Sequence, residues 1–363
     1  MLRIKVSNLK PGVRLGKDIY SYDSQLLLPQ GTIITQEHLD RFAVRGIDEI
    51  FIMDSRPKPR SGKPFADVYV DSLQVVKSTL LGAQLGKSLD VEEIKKTIDT
   101  LFLQVFDEND LFRQMRLMKE KDDYLYTHSV NVALICILIG RWMKCDERQI
   151  KELGTAGLLH DIGKVKISRE ILNKPGKLSD EEYEQVKKHA MFGYNLIMET
   201  GAFSNEVANA ALMHHERADG SGYPMGMRGY NIPFCAAVTA VADVYDAITS
   251  ERTYSAGSSP YTAAEVLWQE SFGRLDPRVS KVFYDKIVNF YVGNQVLLSN
   301  NEKGLVIFVD PSQPTRPIVM VENKFYNLAT DRSIIIQEVI DKRIYRCFKR
   351  KMLLKSRNNR LNE

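Results

Sequence analysis

The chain has 363 residues, 44% hydrophobic and 26% charged, which is the make-up of folded globular protein at a length that calls for two or three domains. No run of about 18 apolar residues occurs, so no membrane span is expected. The net charge of +4 is uneven: nine Lys or Arg against Asp341 and Glu363 give residues 341–363 a charge of +7 and leave the remainder at −3. A short basic end is ordinarily a solvated terminus, and nucleic acid is not an expected partner.

The start, MLRIKVSNLKPGVRLG, has basic residues but neither an apolar core nor a small-residue cleavage site, so it reads as strand and turn, and the expected location is the cytoplasm. Residues 1–55 alternate short β-type runs (LRIKV, QLLLPQGTIIT, IDEIFIM) with Gly and Pro turns around one helical segment, QEHLDRFAVRG. This predicts a small α+β module. The proline-rich, basic stretch DSRPKPRSGKP has little to bury and predicts a linker, placed at 56–64.

From there the apolar residues fall at three and four spacing, with capping signals such as Ser179 followed by Glu182. Connecting helices are expected over 65–118 and a long all-helical domain over 119–292. Its most apolar run, VNVALICILIG, predicts a buried core helix. Beyond it, GLVIFVD, PIVMVEN and SIIIQEVI are β-branched runs broken by turns, which predicts a small β-rich appendage over 293–340 before the basic tail, 341–363. The four cysteines, Cys136, Cys145, Cys235 and Cys347, form no C-x-x-C pair, which argues against a disulfide framework and a thiolate zinc site.

Five of the six histidines (His128, His160, His189, His214 and His215) fall within 88 residues of the helical segment. His160 is followed by Asp161 in LLHDIGK, near a predicted helix end, where a carboxylate can bridge two metals. His189 stands at the margin of a buried stripe. His214 and His215 lie about 100° apart if helical, so they can approach one ion from two sides. Asp243 and Asp246, three apart on an otherwise apolar helix, share a face where unpaired buried carboxylates would be costly, so something cationic is expected to meet them. Five histidines and at least two aspartates without cysteine make a nitrogen and oxygen donor set suited to iron or manganese and less well to zinc, and seven ligands fit two divalent ions better than one.

LLHDIGK, HHERADGSGYP and VADVYDAITSERTY, separated by a helix carrying a lone histidine, together resemble the HD-GYP domain, a branch of the HD phosphohydrolase superfamily. The resemblance spans about residues 119–292. It implies a mainly α fold, with a central all-helical HD-type domain between a small N-terminal α+β module and a small C-terminal β appendage. It implies a metal-dependent phosphodiesterase that opens cyclic di-GMP to pGpG, with GMP as a further product left open. The implied ligands are His128, His160, Asp161, His189, His214, His215 and Asp243, with Asp161 bridging.

By the same resemblance, Lys164 stabilises a phosphate oxygen and Asp246 holds that ammonium in place. Arg252 contacts substrate. Gly220 and Gly222 shape the loop that forms the pocket wall, and Tyr223 either stacks on a guanine, meets a partner domain, or pins its own loop. A homodimer, and a signalling partner at the Gly-Tyr-Pro loop, are carried as options. Family members that hold three metals have a Glu four residues before the first histidine ligand. Tyr124 stands there in this chain, with Asp122 and Asp123 nearby, so two ions are expected. The alternatives are an HD phosphohydrolase acting on another nucleotide, and a catalytically silent domain that binds a ligand or partner.

Overall fold

A computed structural model describes residues 2–6, 9, 11–20, 26–52, 63–105, 111–112, 115, 118, 124–249, 260–271, 273–289, 294–310, 313, 315–322 and 324–340. The predicted basic tail and most of the predicted linker lie outside these residues. The chain divides into two compact units, Met1–Pro59 and Arg60–Glu363.

In the first unit, strand β1 (Leu2–Lys5) pairs antiparallel with β4 (Glu49–Ile52), and β2 (Ile19–Tyr20) pairs with β3 (Leu26–Leu28). The single helix α1 (Gln36–Val44) turns Leu39 and Phe42 onto Leu15, Ile34, Ile50 and Ile52, a small apolar core.

The second unit is mostly helical. It opens with α2 (Phe65–Gln84) and α3 (Val91–Gln104), the latter capped by Asp90, which accepts a bond from the Glu93 amide. Next comes α4 (Tyr124–Trp142), whose residues from Val130 to Ile139 are all but inaccessible. By length and composition Leu125–Trp142 would suffice to cross a membrane. However, 78% of that window is buried inside the protein, so it is the central helix of the core.

Helix α5 (Glu147–Leu159) begins at a capping box of Asp146 and Gln149. It lies close against α4, because a Cβ added at Gly157 would stand 2.9 Å from the Ala133 Cα. A 3₁₀ turn, Ile162–Lys166, and the short α6 (Arg169–Leu172) lead to α7 (Asp180–Lys187), which starts at the reciprocal Ser179–Glu182 box that the sequence predicts. Helix α8 (His189–Met198) follows after Lys188 alone. Helices α9 (Asn205–Met213), α10 (Phe234–Thr249), α11 (Pro260–Glu270) and α12 (Pro277–Asn289) complete the bundle.

The chain then forms β5 (Gln295–Leu298), β6 (Lys303–Phe308), β7 (Ile318–Val321), β8 (Lys324–Asn327) and β9 (Ile336–Ile340), one antiparallel sheet in the order β8-β7-β6-β5-β9. Val296, Val306, Val319 and Val339 turn to its buried face. The architecture is the expected one: mainly helical, with a small α+β module before it and a β appendage after it.

Candidate metal centre

Five helical segments bring their ends or faces to one point. His128 comes from the first turns of α4, and Asp243 and Asp246 from α10. His160 closes the C-terminus of α5, and Asp161 follows it at the start of the 3₁₀ turn. His189 opens α8, and His214 and His215 follow α9. A close crossing holds the His-Asp corner against α8: a Cβ at Gly163 would overlap the His189 carbonyl and the Gly193 amide, so only glycine fits there.

The side chains sort into two groups whose donor atoms all lie within 4.8 Å of one another: Asp161, His189, His214 and His215 in one, His128, His160 and Asp243 in the other. Asp161 joins them. Its Oδ2 lies 3.3 Å from His160 Nε2 and 3.8 Å from His128 Nε2, while its Oδ1 lies 3.5 Å from His189 Nε2 and 3.9 Å from His214 Nε2. His128 Nε2 is also 3.1 Å from Asp243 Oδ1.

The outer nitrogens are fixed. Nδ1 of His160 is 2.8 Å from the Gly157 carbonyl, Nδ1 of His189 is 2.7 Å from that of Val186, and Nδ1 of His214 is 3.0 Å from that of Ala211. Nδ1 of His128 is 2.8 Å from Asp246 Oδ2. Carbonyls and carboxylates only accept, so each Nδ1 carries the proton. His160, His189 and His214 therefore turn Nε2 to the centre, the arrangement of metal-ligating histidines. His160 Nε2 and Asp161 Oδ1 are buried with no hydrogen-bond partner. Buried polar atoms left in this way are costly unless a cation meets them. The residues thus fit a pair of divalent ions, and the donor set is all nitrogen and oxygen.

The electrostatics agree. Burial lowers the pKa of His189, His214 and His215, the last to about 3, so these rings are neutral at pH 7. Burial also disfavours charge on His128, but its hydrogen bonds to Asp243 and Asp246 outweigh that and raise it to about 10. Asp161 is held well below the usual carboxylate range: burial opposes this, and the nearby Lys164, His160 and His189 overcome it.

Lys164, partly buried, extends its ammonium to Asp161 Oδ2 at 2.5 Å. Asp246, expected to hold this ammonium, bonds His128 and, through Oδ1 at 2.9 Å, Asn131 Nδ2. Asp246 sits on the inner side of α10, facing α4, whereas Lys164 follows Asp161 by three residues and reaches it within one turn. Arg252 lies outside the described residues.

The loop after His215 forms one wall. Gly220 has φ +82, the left-handed region, and a Cβ at Gly222 would overlap the backbone of residues 215–217. Tyr223, followed by a cis bond to Pro224, stacks on His215 with ring centroids 4.6 Å apart and meets Tyr183 edge-on. Tyr183 is 46% exposed and stands at the rim. Sequence reasoning missed Glu216. Buried beneath this loop, it accepts from the Met225 and Met227 amides at 2.7 and 2.8 Å. A carboxylate directly after two histidines and before a Gly-rich loop is the signal that could have found it.

Residues 113–279 match the HD domain family. A cyclic di-GMP phosphodiesterase of Pseudomonas aeruginosa is 34% identical over 268 residues, 73% of this chain and 63% of that protein. A 3′3′-cGAMP-specific phosphodiesterase of Vibrio cholerae is 36% identical over 173 residues, 47% of this chain and 40% of the relative. The chain therefore spans less than two thirds of the length of these relatives. Among solved structures, an HDG"Y"P protein from Bdellovibrio bacteriovorus superposes with a TM-score of 0.50 at 20% identity, covering 78% of this chain and 98% of the other, a likeness of fold. The His-Asp pair at residues 160–161 and the Gly-Tyr-Pro loop at residues 222–224 both fall within residues 113–279, the stretch that matches the HD domain family.

Proposed function

We propose that the protein is a metal-dependent phosphodiesterase that opens cyclic di-GMP to pGpG. The observation that carries this reading is Asp161, whose two carboxylate oxygens each face one of two ligand groups. Two bound divalent ions would supply a hydroxide at neutral pH and offset the charge that develops on the phosphate. His128, His160 and Asp243 would hold one ion, His189, His214 and His215 the other, and Asp161 both. The lack of thiolate in this set favours iron or manganese.

The chain's own residues supply the rest. Lys164 brings a fixed positive charge to the place where a phosphate oxygen would gain negative charge. Asp246 holds His128 in the ligating tautomer. Gly220, Gly222 and Tyr223 form the wall against which the dinucleotide would lie, and Arg252 offers a planar fork suited to a phosphate or a guanine edge. The reading places the protein in the cytoplasm, with residues 119–292 as the catalytic domain.

The decisive experiment incubates the purified chain with cyclic di-GMP and Mn²⁺ or, without oxygen, Fe²⁺, and separates products by chromatography. Formation of pGpG by the wild type and none by Asp161→Ala supports the reading; no product from either overturns it. The likeness to a 3′3′-cGAMP-specific enzyme makes that dinucleotide the rival substrate. Faster turnover of 3′3′-cGAMP than of cyclic di-GMP would reassign the substrate and leave the reaction class intact.

A further inference from the structure

A buried hydrogen-bonded chain runs from α2 to the metal centre. The Tyr69 hydroxyl donates to Asn131 Oδ1 at 2.8 Å, Asn131 Nδ2 donates to Asp246 Oδ1 at 2.9 Å, and Asp246 Oδ2 lies 2.8 Å from His128 Nδ1. All four residues are at most 4% exposed. They come from three helices, α2, α4 and α10, and the three links join residues 62, 115 and 118 positions apart, so no local turn explains them.

The polarity of the chain is set by its chemistry. An ionised carboxylate only accepts, so the Asn131 amide nitrogen must face Asp246. Its carbonyl therefore faces Tyr69, and the tyrosine must donate. Donation from Tyr69 polarises the amide and strengthens its bond to Asp246 Oδ1. That bond fixes the rotation of the carboxylate, so that Oδ2 meets His128 Nδ1 and the ring turns Nε2 toward Asp161 and Asp243.

We infer that Tyr69, on α2, and Asn131, on α4, are positioning residues for the ion held by His128, His160 and Asp243, both acting through Asp246. The inference rests on the two-ion reading of the centre, and it stands whether the substrate is cyclic di-GMP or another phosphodiester. Without the Tyr69 hydroxyl, Asn131 Oδ1 is left buried and unpartnered, the amide is freed to turn, and Asp246 loses the contact that orients it.

The test is a Mn²⁺ titration of the metal-stripped full-length chain, followed by calorimetry and analysed as two binding steps. Tyr69→Phe keeps the ring and its packing and removes one oxygen. Asn131→Leu removes both amide bonds at nearly constant volume. Outer-shell partners of ligating histidines change metal affinity by about 10- to 100-fold. One step is therefore expected to weaken by roughly tenfold in Tyr69→Phe and by more in Asn131→Leu, while the other step stays as in the wild type. Both steps unchanged, or both weakened equally as general loosening would produce, overturns the inference. If Asn131→Leu does not fold, the same criteria applied to Tyr69→Phe decide. Failure of the wild type to turn over cyclic di-GMP would overturn the proposed function alone, since the titration does not read activity.

Discussion

Asp161 presents one carboxylate oxygen to His160, at 3.3 Å, and the other to His189, at 3.5 Å, so a single side chain belongs to both ligand groups. Removing it takes a donor from each group at once. Asp161→Ala is expected to lose both ions and all hydrolysis. His160→Ala, which touches one group, is expected to lose hydrolysis with at most one ion. Metal analysis of both variants beside turnover checks this; an Asp161→Ala protein with wild-type metal content would remove the bridging role.

Lys164 touches Asp161 through its ammonium and is no metal ligand, so its contribution should appear in rate and not in metal content. Lys164→Ala is expected to lower turnover about 10²-fold, the scale for loss of one donor aimed at developing charge. Bound metal should stay near the wild-type level. Metal loss in parallel with turnover would mean that the ammonium chiefly maintains the geometry of Asp161.

Much of this centre is legible in the sequence, for identifiable reasons. The capping box at Ser179, the helix-end placement of His160 and the shared face of Asp243 and Asp246 are all local, set by spacing along one helix. What stays hidden depends on how helices are rotated against one another. Asp246 meets His128, 118 positions away, because of the register between α4 and α10, which no single-helix pattern encodes. Tyr69 and Asn131 look like ordinary core positions for the same reason. His214 and His215 follow the last turn of α9, and their rings lie 4.0 Å apart in one group, a closeness that the helical angle alone does not give.

Glu216 supports the Gly-Tyr-Pro loop with two backbone bonds from a buried position. Glu216→Gln exchanges one acceptor for an amide NH₂, which then faces a backbone N–H. The cost of a buried unsatisfied pair is about 1–3 kcal/mol. Thermal unfolding of the metal-loaded variant should show a loss of that size, with turnover lowered because Tyr223 is less firmly placed. An unchanged melting temperature would mean that the loop is held by other contacts.

His128 carries a proton in the ion-free protein: its pKa is raised to about 10, against an ordinary value of about 6.5. A raised folded-state value stabilises the fold fully below about pH 6.5, and this contribution is lost as pH rises toward 10. Metal-stripped protein should therefore lose stability across that window. An ion that takes Nε2 must displace the proton, whereas His189, His214 and His215 are already neutral. Ion binding at the His128 group should accordingly release one proton, and its apparent affinity should rise by up to about tenfold per pH unit below 10. Calorimetric titration in buffers of different ionisation enthalpy measures the released proton; no buffer dependence would contradict the assignment.

The number of ions follows from the groups available. Two sets of donors are brought together among the described residues, joined by Asp161. A third ion would need a further carboxylate, and the family resemblance puts it four residues before His128. Tyr124 occupies that position, at the start of α4. A phenol, with a reference pKa of about 10, is a poor ligand at neutral pH. Asp122 and Asp123 lie outside the described residues, and on a continued helix they would be turned about 100° or 200° from that direction. Two ions per chain are therefore expected, and by the family resemblance a two-ion centre favours release of pGpG over rapid onward cleavage to GMP. Metal counting on protein purified without oxygen gives the ratio. A value near three, reduced to two by Asp123→Ala, would place that aspartate in the centre and overturn the two-ion assignment.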